Sequence, residues 1–122
     1  MFMRKVGVRL KPGSLDNFVR VMHAQILPWL REQEGFQDLI ILASSDGGEV
    51  ATLTFWDHEQ SAQACNAGCS QAVQELEALL DGVPYVKTFL VVGSTVSKIA
   101  PSDYGKTQAT ADTAKHAALG MM

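Results

Sequence analysis

Cysteine is nearly absent. Cys65 and Cys69 are the only two in 122 residues, which excludes a scaffold built on disulfides. No apolar run approaches the ~20 residues a helix needs to span a bilayer. Positive charge is in deficit: Lys and Arg number 10 against 13 Asp and Glu, so a net charge of −3 leaves no basic footprint for nucleic acid. Basic residues near the N-terminus, Arg4 and Lys5, have no apolar h-region or small-residue cleavage site behind them. The chain carries no internal repeat. These gaps lead to the expectation of a cytoplasmic protein with neither nucleic acid nor membrane as partner.

What is present is a substantial apolar fraction, 47%, enough for a real core in one domain. The strongest local signal runs from Phe36 to Trp56. Two apolar runs flank Ser45-Asp46-Gly47-Gly48, a turn sequence, so the stretch reads as a β-hairpin. Its first strand is apolar on both faces: Leu39, Ile41 and Ala43 point one way, Ile40 and Leu42 the other. The second strand has one wholly apolar face, Ala51, Leu53 and Phe55. Its other face, Val50, Thr52, Thr54 and Trp56, mixes hydroxyls with an indole and suits a cavity better than a dry core.

Around the hairpin the pattern alternates between sheet and helix. Val6, Val8 and Leu10 mark a strand over 4–11. Ser14 stands as N-cap of a helix over 15–34 with a stripe of Leu15, Phe18, Val19, Met22, Ile26 and Leu30. Pro28 cannot donate to the Ala24 carbonyl and should kink that helix or open a new last turn. Gly35 is its C′ residue. Asp57 with Gln60 caps a second helical region over 58–81, weakened at Gly68. A last strand covers 85–94. Beyond Ser97 large apolar residues thin out, leaving a 97–122 tail or arm with room for an Ala-rich helix over 109–119.

The order β-α-β-β-α-β is the ferredoxin-like plan, an α+β fold whose antiparallel sheet carries helices on one face. The other face would be apolar along the second and fourth strands, a patch larger than soluble monomers tolerate. A homodimer closed sheet to sheet removes it.

Three segments carry a family resemblance: Lys11-Pro12-Gly13-Ser14 entering the first helix, Pro28 through Glu34-Gly35-Phe36 leaving it, and Thr54-Phe55-Trp56-Asp57 leading into the second. Over roughly Val6 to Val96 the chain resembles the antibiotic biosynthesis monooxygenase (ABM) family of dimeric α+β barrels. The resemblance implies a 1–96 domain of that type. It also implies a cofactor-independent monooxygenase acting on a small aromatic or quinol-like substrate in an apolar cavity, where a phenolate donates an electron to O₂. The alternative is a dimer of the same shape that binds a small molecule without turnover. The haem-degrading branch carries asparagine, tryptophan and histidine where this chain has Val6, Cys65 and Glu75. A carboxylate replaces imidazole poorly on haem iron, so haem degradation is disfavoured.

Among residues able to serve such a site, His23 is the best general base, because its ordinary pKa lies near neutrality; it also fits as a hydrogen-bonded, half-buried histidine. Trp29, Trp56, Asn66 and Tyr85 are candidates to hold the substrate ring, with plain packing the competing role for the two tryptophans. No metal is expected. His58, Cys65 and Cys69 share a helical face, but eleven residues of helix span about 16 Å, far beyond the reach of ligands about 2.0–2.3 Å from one zinc ion.

Overall fold

The structure is a computed structural model and describes residues 1–64, 70–96 and 99. Four strands form one antiparallel sheet: β1 (Phe2–Arg9), β2 (Phe36–Ala43), β3 (Glu49–Trp56) and β4 (Tyr85–Leu90), in the spatial order β2-β3-β1-β4. The helices are α1 (Leu15–Val21), a π turn over Met22–Ile26, α2 (Leu27–Arg31), α3 (Glu59–Ala64) and α4 (Ser70–Glu77). This is the ferredoxin-like α+β plan.

Strand parity decides which side chains meet the helices. On β3, Val50, Thr52, Thr54 and Trp56 are buried. They join Val8, Phe18, Val21, Met22, Ile26 and Leu30 in the core between sheet and helices. The register places Val8, Val6 and Arg4 of β1 beside Val50, Thr52 and Thr54, on the same face. From β2, Ala43, Ile41 and Leu39 fall opposite the same three residues. A bulge at Gln37 then lets Phe36 also face inward, against Trp56. Their rings meet edge to face, with centroids 5.4 Å apart.

Pro28 acts where the sequence places it. The helix does not run unbroken over 15–34. It widens into the π turn, where the Leu27 N–H reaches back to the Met22 carbonyl, and α2 restarts with proline in its first turn. The helix ends at Arg31 with Glu32 as its C-cap, earlier than the sequence suggests. Gly35 is not its C′ residue but sits in the turn before β2, with φ +84°, a conformation that favours glycine. A Cβ there would stand 3.0 Å from Ser61 Oγ on α3, a tight contact that Ser61 would have to yield to.

The hairpin turn is held by its own polar groups. Gly47 N–H donates to the Ser44 carbonyl (2.9 Å), while Gly48 N–H (2.9 Å) and the Ser44 hydroxyl (2.7 Å) donate to Asp46 Oδ1. These bonds, the Gly48 amide foremost, hold the Asp46 carboxyl below its ordinary pKa.

Several boundaries differ from the sequence expectation. β1 begins at Phe2, because Phe2 is already paired with Trp56 on one side and Leu90 on the other. Leu10 lies beyond the strand; it bridges to Leu80, and its N–H donates to the Gly48 carbonyl (2.9 Å). β4 stops at Leu90. Ser14 is at the N-cap position of α1 but makes no side-chain cap bond. The Asp57 carboxylate accepts from Gln37 Nε2 (2.6 Å), tying β3 to the bulge in β2. The segment around Gly68, and all but Ile99 of the 97–122 tail, lie outside the described residues.

Among the described residues, no helix covers the second sheet face. Its side chains lie in three cross-strand rows: Leu42, Ala51, Gly7 and Tyr85; Ile40, Leu53, Lys5 and Lys87; Asp38, Phe55, Met3 and Phe89. Ile40, Leu42, Tyr85 and Phe89 are exposed large apolar residues. Lys87 Nζ lies over the Phe89 ring, 5.2 Å from its centroid.

Candidate functional site

Between the helix layer and the sheet lies a cavity of about 250 Å³. The sheet supplies its floor through Arg4, Val6 and Val8 of β1 and Thr52 and Thr54 of β3. Phe18, Met22, Ile26 and Leu30 line it from the first helical stretch, together with Trp29, which is half-buried. Met22 and Ile26, four residues apart in the π turn, both fall on the buried side. Val73 and Glu77 of α4, with Pro84 and Val86 at the start of β4, are all exposed and rim the mouth. Lys11 Nζ donates to the Ala78 carbonyl (3.0 Å) and Gln25 Nε2 to Glu75 (2.9 Å), fastening this end of α4 to the rest of the layer.

The lining is apolar apart from a few groups. Arg4 brings the one cation among the described lining residues, and Glu77 stands at the mouth. Thr54 and Thr52 add hydroxyls. Thr54 Oγ1 accepts the Trp56 Nε1–H at 2.8 Å and lies 3.4 Å from the Arg4 carbonyl, to which it donates. Such a space can hold a flat apolar ring, offer a cation to an oxygen anion, and exclude most water.

The structure brings some of the expected site residues together and leaves others apart. Trp29 lines the cavity. Trp56 is 1% exposed and sits behind Thr54, its ring against Phe36, where it packs rather than lines. His23 is exposed and borders a separate open groove of about 510 Å³ with Arg31, Phe36, Gln37 and Asp38, outside the cavity. One residue beyond Met22, it turns away from the buried stripe. Tyr85 is 57% exposed and belongs to the helix-free sheet face, on the far side of the sheet from the cavity. Strand parity separates it from Val86, which does reach the mouth. Asn66 lies outside the described residues, as do Cys65 and Cys69.

No protein-family model matches the sequence, and no curated protein does. Solved structures do match. The chain is similar to a Streptomyces coelicolor monooxygenase solved in complex with nanaomycin D: 23% identity, TM-score 0.66, covering 78% of this chain and 90% of that one. It has the antibiotic biosynthesis monooxygenase fold. A second structure with this fold is SnoaB, a cofactor-independent oxygenase from Streptomyces nogalater (15% identity, TM-score 0.64, 77% and 95% covered). A third is described as an antibiotic biosynthesis monooxygenase (14% identity, TM-score 0.63, 76% and 100% covered). At these identities the likeness is one of fold.

Within this ABM fold, the residue that sequence reasoning passed over is Arg4. The signal was available. Arg4 shares the parity of Val6 and Val8, and a charged residue in step with buried valines on a strand is a candidate for the inner face.

Proposed function

We propose that the protein is a cofactor-independent monooxygenase acting on a small aromatic or quinol-like compound bound in the cavity, and that it works as a homodimer joined through the helix-free sheet face. The observation that carries the first part is the cavity itself: apolar, of a size for ring systems, and floored by a cation. A dry cavity of about 150 Å³ takes a single benzene ring, so about 250 Å³ suits two fused rings.

The chemistry asked of the chain is modest. Arg4 beside a phenolic oxygen favours its deprotonated form, and the proton leaves through the mouth at Glu77. The phenolate gives one electron to O₂, and the radical pair joins at a ring carbon as a hydroperoxide after protonation. Loss of water then leaves a carbonyl, so a phenolic ring plus O₂ becomes a quinone plus H₂O. Apolar walls from Phe18, Met22, Ile26 and Trp29 hold the ring and keep water from quenching the intermediates. His23 takes no part, because it lies outside the cavity.

The test is oxygen uptake with a panel of hydroquinones, including 1,4-naphthohydroquinone, each corrected for autoxidation. Expected is protein-dependent uptake with at least one member, reduced about tenfold or more in Arg4→Met. No uptake above autoxidation with any member would overturn the monooxygenase reading.

A second reading, binding without turnover, is favoured by one observation: the described lining holds no histidine, the usual general base. Thermal shift separates the two. A two-ring quinone at about 100 times its Kd stabilises by about 2.7 kcal/mol whether or not turnover occurs. Stabilisation without oxygen uptake identifies a binding protein.

A further inference from the structure

Thr52 and Thr54 both project from β3 toward the cavity, but only Thr54 is engaged. Thr54 accepts the Trp56 indole N–H and donates toward the Arg4 carbonyl. Thr52 is 7% exposed, and its hydroxyl has no hydrogen-bond partner among the described residues. Its neighbours in register on the same face are Val6 across β1 and Ile41 across β2, neither with a polar side-chain atom. Met22 and Ile26, which line the cavity from the helix side, offer none either. No described side-chain N or O atom is both fully buried and unpaired, so the Thr52 hydroxyl keeps its surface on the cavity it lines, where water serves it until a ligand fills the space. A ligand that offers no replacement leaves it unpaired, which is costly. The cavity is the space from which a partner for Thr52 can come.

We propose that Thr52 is a positioning residue of this site, and that its hydroxyl engages a ring oxygen of the bound aromatic. The inference rests on the cavity reading given above and adds to it which atom of the protein selects an oxygenated ring. A threonine hydroxyl both donates and accepts. It therefore accepts from the hydroxyl of a phenol or quinol and donates to the carbonyl of the quinone. Substrate and product are held through one oxygen in one orientation. A ring that fills the cavity without an oxygen displaces water from that hydroxyl and leaves it unpaired, so the site discriminates against such a ring.

Calorimetric titration of the full chain tests this with two probes of similar shape, 1-naphthol and 1-methylnaphthalene. The proteins are wild type, Thr52→Val and Thr54→Val. Valine keeps the shape of threonine and deletes the hydroxyl. In Thr52→Val the ratio of naphthol to methylnaphthalene affinity is expected to fall about tenfold. Affinity for methylnaphthalene and the melting temperature should stay at or above their wild-type values. Thr54→Val is expected to melt lower while keeping the wild-type ratio, because its hydroxyl serves Trp56. An unchanged ratio in Thr52→Val overturns the role of Thr52 and leaves the cavity reading standing. Equal loss of both probes together with a lower melting temperature makes Thr52 a packing residue and also overturns it. If wild type binds neither probe, the cavity reading fails and this inference fails with it.

Discussion

At Trp56 the indole N–H is buried among apolar groups and finds a single acceptor, the Thr54 hydroxyl at 2.8 Å. Trp56→Phe removes that bond and part of a ring packed against Phe36. A loss of about 2 kcal/mol in urea-denaturation stability is expected. The same substitution leaves oxygen uptake per folded molecule within about twofold, because Trp56 does not reach the ligand space. His23→Ala is likewise expected to leave uptake unchanged within about twofold; a loss beyond about tenfold would return His23 to the site. The two outcomes follow from side-chain direction, which the residue types alone did not give. Histidine at that position satisfied every chemical requirement of a base and missed the geometric one. Arg4 met the geometric requirement and was hidden by its place near a strand end, where charges are ordinarily solvated.

Elements were more legible than single residues. The hairpin was readable because turn chemistry and strand alternation agreed, and Pro28 marked the break in the first helical stretch; its end, at Arg31 rather than beside Gly35, was not. The π turn was not readable in detail. Pro28 forces some adjustment upstream, but whether the helix kinks or widens depends on how Met22 and Ile26 pack, which is tertiary information. The face of Tyr85 was readable by parity, since the sequence pattern already set it apart from Val86; what was missing was which face of the sheet the helices would cover. Two predictions belong at this scale. Gly35→Ala is expected to destabilise by about 1–3 kcal/mol, from its φ of +84° and the 3.0 Å approach of Ser61. Adding Ser61→Gly should recover only the contact part, a coupling that a double-mutant cycle in urea reads directly. In the hairpin, the Asp46 carboxyl has its pKa lowered in the folded state by the Gly48 amide and the Ser44 hydroxyl. Its contribution is therefore present above the unfolded value near 3.8 and lost as pH falls below it through the lower folded value. Between about pH 4 and pH 2.5 the melting temperature of Asp46→Asn should fall less steeply than that of wild type.

For the whole molecule, the sheet has two faces with different fates. One is covered by the helices and encloses the cavity. The other presents Ile40, Leu42, Tyr85 and Phe89 to solvent, with Leu53 half-buried and Phe55 buried between them. A monomer would leave an apolar patch of the kind that marks an interface, and a second copy offers a surface of the same character. The lysines of the middle row are compatible with such a contact: Lys87 already lies along Phe89, and long stems cover apolar surface while their ends reach water. Leu42→Lys, which puts a charge among the apolar groups of this face, is expected to weaken the association by about tenfold or more without unfolding the chain, because Leu42 is half exposed in the single subunit. On the homodimer proposed above, a second copy covers the other face of the sheet that holds the cavity, so the mass of the particle in solution is the most direct check. Light scattering on a sizing column at micromolar concentration should give twice the 13.2 kDa of one chain, falling toward one chain for Leu42→Lys. A stable particle of 13.2 kDa for the wild-type protein would contradict it.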